Sequence, residues 1–572
     1  MFRALLFVPG VLLALLARSA VLEDFQVAQP PPLPQDAKQC TVKILEHTFG
    51  NSFGAPAIAN ITPPTDCGEP GTWAGISLNF TVTSNGTQFD RLSVFTFEHV
   101  EIWRTSTPEP TSGGIIWTYL KDVTRYTPLF AKQGTLILEL DNLIETGLNG
   151  EYATTLHATY FASSDAHPAT KQANTIIPIS TLSDTSANDA SVPPKFTTNV
   201  TLPRNAVQVY AELYASGNGN EEFWYFNAAN KFLGDLPSGT TFGDGPFREV
   251  RLLVDGQVAG VAFPYATIFT GGIIPSVWRP ITSYGALDLP TYFLDLTPFV
   301  PVLADGKAHN ITLDVSSAES NHTINDNWFV SGNLQVVTDS SSKPTTGNIT
   351  SYSAEHFASS TTTGSKGDNG DVNITVTATR QIHIEADIIS GSGSTSHVVW
   401  SQDLQYSNVQ NYLNNASVQV VAQTASGTVT STHDGVTALT DQFSYPLNIN
   451  LTLLDASGSS FTATFDHSYD RTLLPSPFIL GSTIKNHQTA LGFFEVKSTG
   501  NTGNGTNNNT FSYTDLAGNT FDREVNAAFN NITFDHVGGT LASSSQAPFS
   551  VSIPPQIMPL ARLPGGRILG GS

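Results

Sequence analysis

The 572-residue chain has two cysteines, two methionines and 26 basic residues against 48 acidic ones, a formal net charge of −22. Each shortage excludes something. Two cysteines are too few for a disulfide-stapled or cysteine-ligated scaffold, so ordinary apolar cores must hold the fold. The scarcity of lysine and arginine argues against nucleic acid and anionic membranes as partners, because both are bound through dense positive charge. Charged residues of either sign make up only 13% of the chain, about half the usual share. After the first twenty residues no apolar run has the length to cross a bilayer. The zinc-protease helix H-E-x-x-H and a complete dinucleotide fingerprint are missing; Gly217-Asn218-Gly219 lacks the third glycine and the helix that should follow. The acidic turn between Lys366 and Val372 is too short a signal to specify calcium.

What is present begins with MFRALLFVPGVLLALLARSA. Arg3 precedes an apolar stretch, Leu5–Leu16, and small residues close it at Ala17, Ser19 and Ala20. This is the pattern of a secretory leader spanning residues 1–20. Thirteen N-x-S/T sequons follow, at Asn60, Asn79, Asn85, Asn199, Asn310, Asn321, Asn348, Asn373, Asn415, Asn450, Asn504, Asn508 and Asn531. Behind a leader, so many acceptors imply a glycosylated surface, and each used site must lie exposed. Cys40 and Cys67 are expected to pair in an oxidising compartment, adding a few kcal/mol. The tail, residues 556–572, lacks the apolar end of a lipid-anchor signal. The expectation is a secreted protein, extracellular or vacuolar.

Short alternating runs rich in Thr, Ser, Val, Ile and Phe recur between Gly, Pro, Asn and Asp, as in Gly134–Leu140, Glu151–Phe161 and Ala206–Tyr214. Such spacing predicts β-sandwiches or barrels. The fold expected is all-β: two adjacent jelly-roll-like sandwiches, residues 21–190 and 195–338, then a linker at 339–350 and a third β-rich region at 351–555. Asp255–Gly256 is a strong hairpin signal. The tract STGNTGNGTNNNT, Ser498–Thr510, reads as a flexible loop. His383, His397 and His467 stand apart from one another and read as structural or exposed.

Three dense blocks carry candidate chemistry. In FDRLSVFTFEHVEIWRTSTPEPTSGGIIW a two-residue turn at Glu98–His99 pairs Phe97 with Val100, Ser93 with Arg104 and Asp90 with about Thr107. Asp90, Arg104, Thr105, Thr107 and Glu109 then share one rim of a sheet. A carboxylate beside a guanidinium there can hold a water and orient a polar substrate; it can equally be a strand-end ion pair. In LYASGNGNEEFWYFN, Glu221 or Glu222 lies beside Phe223, Trp224 and Tyr225, a mixture suited to a sugar or to the capped edge of a core. In the third block, Arg248 and Glu249 start a strand, and Trp278 and Arg279 sit on a long loop of the kind that carries function.

The segments FDRL, RTSTPEPTSGGIIW, KDVTRY, NEEFWY, REVRLLVDG, IFTGGIIPSVWRP and LPTYFLDLTPFV, taken in that order, resemble the plant and fungal acidic peptide-N-glycosidase family, the peptide-N4-(N-acetyl-β-glucosaminyl)asparagine amidases A. The resemblance covers roughly Phe89–Val315. It implies an amidase that hydrolyses the bond between an N-glycan and asparagine of glycopeptides, with no metal and no cofactor called for. A weaker similarity to the bacterial peptide-N-glycosidase, two sandwiches with a site between them, carries its catalytic aspartate to Asp90. On that basis Asp90 activates water and Arg104 orients Asp90 or the oxyanion. Glu222 is the partner acid with Glu249 as runner-up, and Asp244 also competes. Asp141 and Trp278 contact the first N-acetylglucosamine, with Trp224 and Arg279 as further substrate contacts. The plant relatives carry His-Gly where this chain has Asn218–Gly219, so that turn has no role transferred to it. Two other classes stay open: a secreted lectin that cleaves nothing, and a glycosidase with two carboxylates about a glycosidic oxygen.

Overall fold

The computed structural model describes residues 21–497 and 500–542, with three two-residue strands beyond them, Ile557–Met558, Ala561–Arg562 and Ile568–Leu569. The expected leader and most of the tail lie outside the described residues. Among the described residues no helix is long and apolar enough to cross a membrane.

The first sandwich packs two sheets face to face. One has five strands in the order Leu22–Asp24, Ile115–Asp122, Gly75–Asn85, Glu151–Phe161, Gln39–Phe49. The other has four, in the order Ala57–Ile61, Gly134–Leu140, Leu92–Phe97, Val100–Ser106. Alternation along Leu92–Phe97 sends Phe95 and Phe97 inward. Phe95 stacks on Trp103 at 4.7 Å between ring centroids, and Phe80 meets both rings edge-on. Aromatic burial of this kind contributes roughly 1.5–3 kcal/mol per side chain. Cys40 and Cys67 form the expected disulfide.

The hairpin at Glu98–His99 forms as its sequence implies. Both residues have positive φ, 49° and 66°, which a two-residue turn between right-twisted strands requires. Its register differs from simple counting. A bulge between Phe95 and Thr96 pairs Ser93 with Thr105 and Val94 with Arg104. One extra residue on the second strand therefore moves Arg104 away from Ser93.

The second sandwich also has two sheets. Thr175–Ile179, Asn327–Thr338, Ala206–Asn218 and Tyr292–Asp295 form one, with Ala190–Val192 also on Asn327–Thr338. The other is Phe196–Val200, His309–Ser316, Glu249–Val254, Gln257–Ala262. Residues 175–192, expected at the end of the first unit, thus contribute strands to the second. Asp255 and Gly256 make the anticipated turn, at φ 48° and 84°.

The third region is one 12-stranded sheet whose strands reach 19 residues. Its first strand, Thr346–Ala354, begins inside the expected linker. Residues 501–510 of the tract expected as a loop lie instead in the strand Asn501–Asp515, which is paired on both sides. One face of this sheet carries the second sandwich: Gln402 bonds both the N–H and the carbonyl of Val261 at 2.9 Å. The first sandwich has its own core, whereas the second sandwich and the third region share one. All thirteen sequon asparagines are exposed or half-buried, Asn79, Asn373 and Asn531 being the half-buried ones.

Candidate active site

Three chain segments build the rim of the first sandwich that faces the second. Gln88–Arg91 enters the strand Leu92–Phe97, and Thr107–Thr111 leaves its partner. Arg91 and Thr107 close the pair: the Arg91 N–H donates to Thr107 Oγ1 and the Thr107 N–H to the Arg91 carbonyl, both at 2.9 Å. Asp141 ends the third segment. It follows directly on the Ser93–Leu140 pair that ends the ladder between the two strands.

The loop between Ala262 and Tyr292 supplies the opposite wall. Thr270 Oγ1 donates to the Thr107 carbonyl at 2.6 Å and lies 3.0 Å from Ser106 Oγ. The next residue, Gly271, leaves the space on which two carboxyl groups converge. A β-carbon there would stand 2.5 Å from Asp90 Oδ1 and 2.6 Å from Glu109 Oε1. Those oxygens are therefore no more than about 5 Å apart. Asp90 is half-buried and Glu109 is buried. Arg279 holds Glu109 from behind, with Nη2 2.7 Å from its carbonyl and 3.5 Å from Oε2. Arg279 is also buried and feels the charge of Asp24, whose own carboxyl is pushed up to about 8 by burial, with Arg279 pulling the other way.

Charge is dense around this pair. Arg91 Nη2 donates to Gln88 Oε1 at 2.7 Å. The Arg91 charge lowers the Asp141 carboxyl, but burial dominates and Asp141 sits above its ordinary value. Asp141 also accepts the Gly54 N–H at 2.8 Å. One step inward, burial raises Glu139 to about 7. Partly exposed carboxyls with raised proton affinity make this rim a candidate functional site.

Several expected site residues lie elsewhere. Arg104 is fully buried between the sandwiches, with Nε 2.7 Å from Glu101 Oε1, Nη2 2.8 Å from Oε2, and Nη1 bonded to Ser216 and the Phe329 carbonyl. It locks the domains together, and the guanidinium at the rim is that of Arg91. Glu249 faces the third region, 3.3 Å from Arg380 and accepting the Ala358 N–H at 3.0 Å. Glu222 follows the short turn Gly219–Glu221 beside Tyr225, and its neighbour Glu221 is spent on Arg248 and Trp328. Asp244 bonds Asn230 in an exposed turn. Trp278 is fully buried, its ring against Phe465 and His467 of the third region and its Nε1 on the Gly272 carbonyl. Trp224 is buried against Trp328. Neither indole can serve as an open sugar platform. The partner of Asp90 is Glu109, which the sequence set on the same rim without a role. Among the described residues no cluster of His, Cys, Asp and Glu has the form of a metal site.

Two carboxyl groups closing on one point, where a loop of the second sandwich meets the rim of the first, define the class: an all-β protein with a paired-carboxyl site. The comparisons carry this further. Residues 30–355 match the family described as peptide N-acetyl-beta-D-glucosaminyl asparaginase amidase A, and residues 373–447 match the PNGase_A C-terminal domain. The chain is 34% identical over 422 residues to the peptide-N4-(N-acetyl-beta-glucosaminyl)asparagine amidase A of Prunus dulcis, covering 70% of this chain and 71% of that one. It is similar to the solved structure of PNGase F, a glycosylasparaginase from Flavobacterium meningosepticum, at 14% identity and a TM-score of 0.34, over 53% of this chain and 96% of that one. A second solved structure, a peptide-N(4)-(N-acetyl-beta-D-glucosaminyl) asparagine amidase, gives 13%, 0.34, 53% and 97%. The chain belongs to the peptide N-acetyl-beta-D-glucosaminyl asparaginase amidase A family.

Proposed function

We propose that this protein cleaves the amide between the first N-acetylglucosamine of an N-glycan and the asparagine side chain of a glycopeptide. The observation that carries the proposal is the convergence of Asp90 and Glu109 above Gly271, inside the segment that matches the family. Asp90 is the half-exposed member and meets the water. It takes a proton as the water oxygen attacks the side-chain carbonyl carbon, giving a tetrahedral oxyanion. As the C–N bond breaks, protonated Asp90 returns that proton to the leaving nitrogen. The products are an aspartate in the peptide and a glycosylamine, which then loses ammonia in water. Arg91 supplies positive charge at the rim where the oxyanion develops. Glu109, fixed by Arg279, is a positioning residue that sets where the Asp90 oxygens lie. Asp141 offers a carboxyl to sugar hydroxyls.

A retaining glycosidase also works with two nearby carboxyls, so the product must decide. Incubation with a glycopeptide followed by mass spectrometry of the peptide is the test. Amide hydrolysis leaves an asparagine-to-aspartate change of about one mass unit, as exchange of an amide for an acid requires. A sugar stub would show a glycosidase, and an unchanged glycopeptide would leave a lectin. We further propose delivery through the secretory route, supported by the exposure of the sequons and by the disulfide.

A further inference from the structure

Phe53 is 75% exposed, more than any other large apolar side chain among the described residues. Its loop is not loose. Ser52 Oγ donates to the Leu140 carbonyl at 2.7 Å, the Ser52 N–H to the Asn142 carbonyl at 2.9 Å, and the Gly54 N–H to Asp141 Oδ1 at 2.8 Å. A phenyl ring is thus held in water by a loop anchored on both sides of it. Two residues after Asp141 comes Leu143, 39% exposed, its carbonyl held by Gln88 Nε2 at 2.9 Å. Gln88 begins the segment that carries Asp90. Two exposed apolar side chains therefore belong to the segments next to Asp141.

We propose that Phe53 is the stacking platform for the N-acetylglucosamine residues of the substrate glycan, with Leu143 beside it and Asp141 accepting from the sugar hydroxyls. This deepens the amidase reading and rests on it. The chemistry selects a sugar: a pyranose ring presents one face of C–H groups that covers an aromatic ring while its hydroxyls reach neighbouring polar groups. Phe53 has no polar tip to satisfy, so the adjacent carboxyl must supply the hydrogen bonding. The Gly54 N–H ties the platform to Asp141 at 2.8 Å, and Gln88 ties Leu143 to the segment that carries Asp90. The two tryptophans first expected in this role are sealed in cores, whereas the Phe53 ring is open.

The experiment is titration of the full-length protein with N,N′-diacetylchitobiose, which has no asparagine amide and is not cleaved, by calorimetry or ligand-observed NMR. Phe53→Ala should weaken chitobiose binding about tenfold, and Phe53→Trp should restore it, with unchanged Tm in both because the ring is exposed. On a glycopeptide, Phe53→Ala should raise KM with kcat within about twofold. Unchanged chitobiose affinity would overturn the proposal. So would a loss confined to the unglycosylated form of the peptide, which would make Phe53 a peptide contact. Chitobiose binding is read without turnover, so a failure of the amidase reading appears separately, as absence of the aspartate product.

Discussion

Asp90 and Glu109 direct carboxyl oxygens at one point, 2.5 and 2.6 Å from where a side chain on residue 271 would begin. The absent side chain is what lets the pair form. Gly271→Ala should displace both carboxyls and lower kcat by a hundredfold or more, since misplacement by about 1 Å can cost that much. Tm should change by only a few degrees. Retention of activity by Gly271→Ala would show that the pair is not the working site.

Asp90 and Glu109 should differ in what they cost. Asp90→Asn removes the base and should lower kcat by about 10²–10⁴, with glycopeptide binding retained. Glu109→Gln keeps the shape and the Arg279 contact but removes a charge, so it should lower kcat less and shift the pH profile. Assays of purified variants across pH separate these outcomes.

Arg104 should behave as a structural residue. Arg104→Met would leave Glu101 buried without its partner, a loss of about 3–5 kcal/mol. The double change Arg104→Met with Glu101→Leu should recover most of it, because both charges leave together. Denaturation of the four proteins of the cycle measures this. Activity per folded molecule in the double variant should stay close to wild type.

Stability should favour acid. Burial pushes Asp24 from 3.8 to about 8 and Glu139 from 4.5 to about 7, and it also raises Glu101, Glu249 and Asp141. Between roughly pH 4 and 8 the folded protein therefore holds more protons than the unfolded chain, and stability falls as pH rises. His467, lowered by burial to about 4, works in the other direction: it costs stability as pH falls from 6.5 toward 4. Burial lowers His356 as well; several carboxyls against these two histidines leave Tm higher at pH 5 than at pH 8. Asp24→Asn should narrow that difference, and thermal melts at the two pH values would show it.

The third region should prove necessary to the enzyme. The loop that carries Gly271 rests on it: Asn507 Nδ2 donates to the carbonyls of Val277 and Ile281, and Gln488 to that of Thr282. A chain ending at residue 338 would expose the shared core and lose these contacts. It should be insoluble or inactive, as expression and assay of the truncated form would reveal.

The sequence made the sandwiches, both two-residue turns, the disulfide and the rim with Asp90 and Glu109 legible, because alternation, turn chemistry and local spacing are short-range signals. The particular partners were not. A single bulge between Phe95 and Thr96 changed what Arg104 faces, and no local rule announces a bulge. Trp278 looked like a sugar platform because loop tryptophans often are. Its burial depends on strands nearly two hundred residues further on. The Asn/Gly tract at 501–510 looked like a loop by composition. It is a strand because its small residues admit another segment: a β-carbon on Gly505 would meet Val277 at 2.4 Å.

That seating of Val277 on Gly505 sets an order of events during synthesis. Domains of a growing chain fold in sequence, amino-terminal end first, and the first sandwich with its own core can close early. The wall bearing Gly271 is fastened only once residue 507 has emerged. Until then the nascent protein, which carries most of its own acceptor asparagines by that point, has no finished cleft with which to strip them.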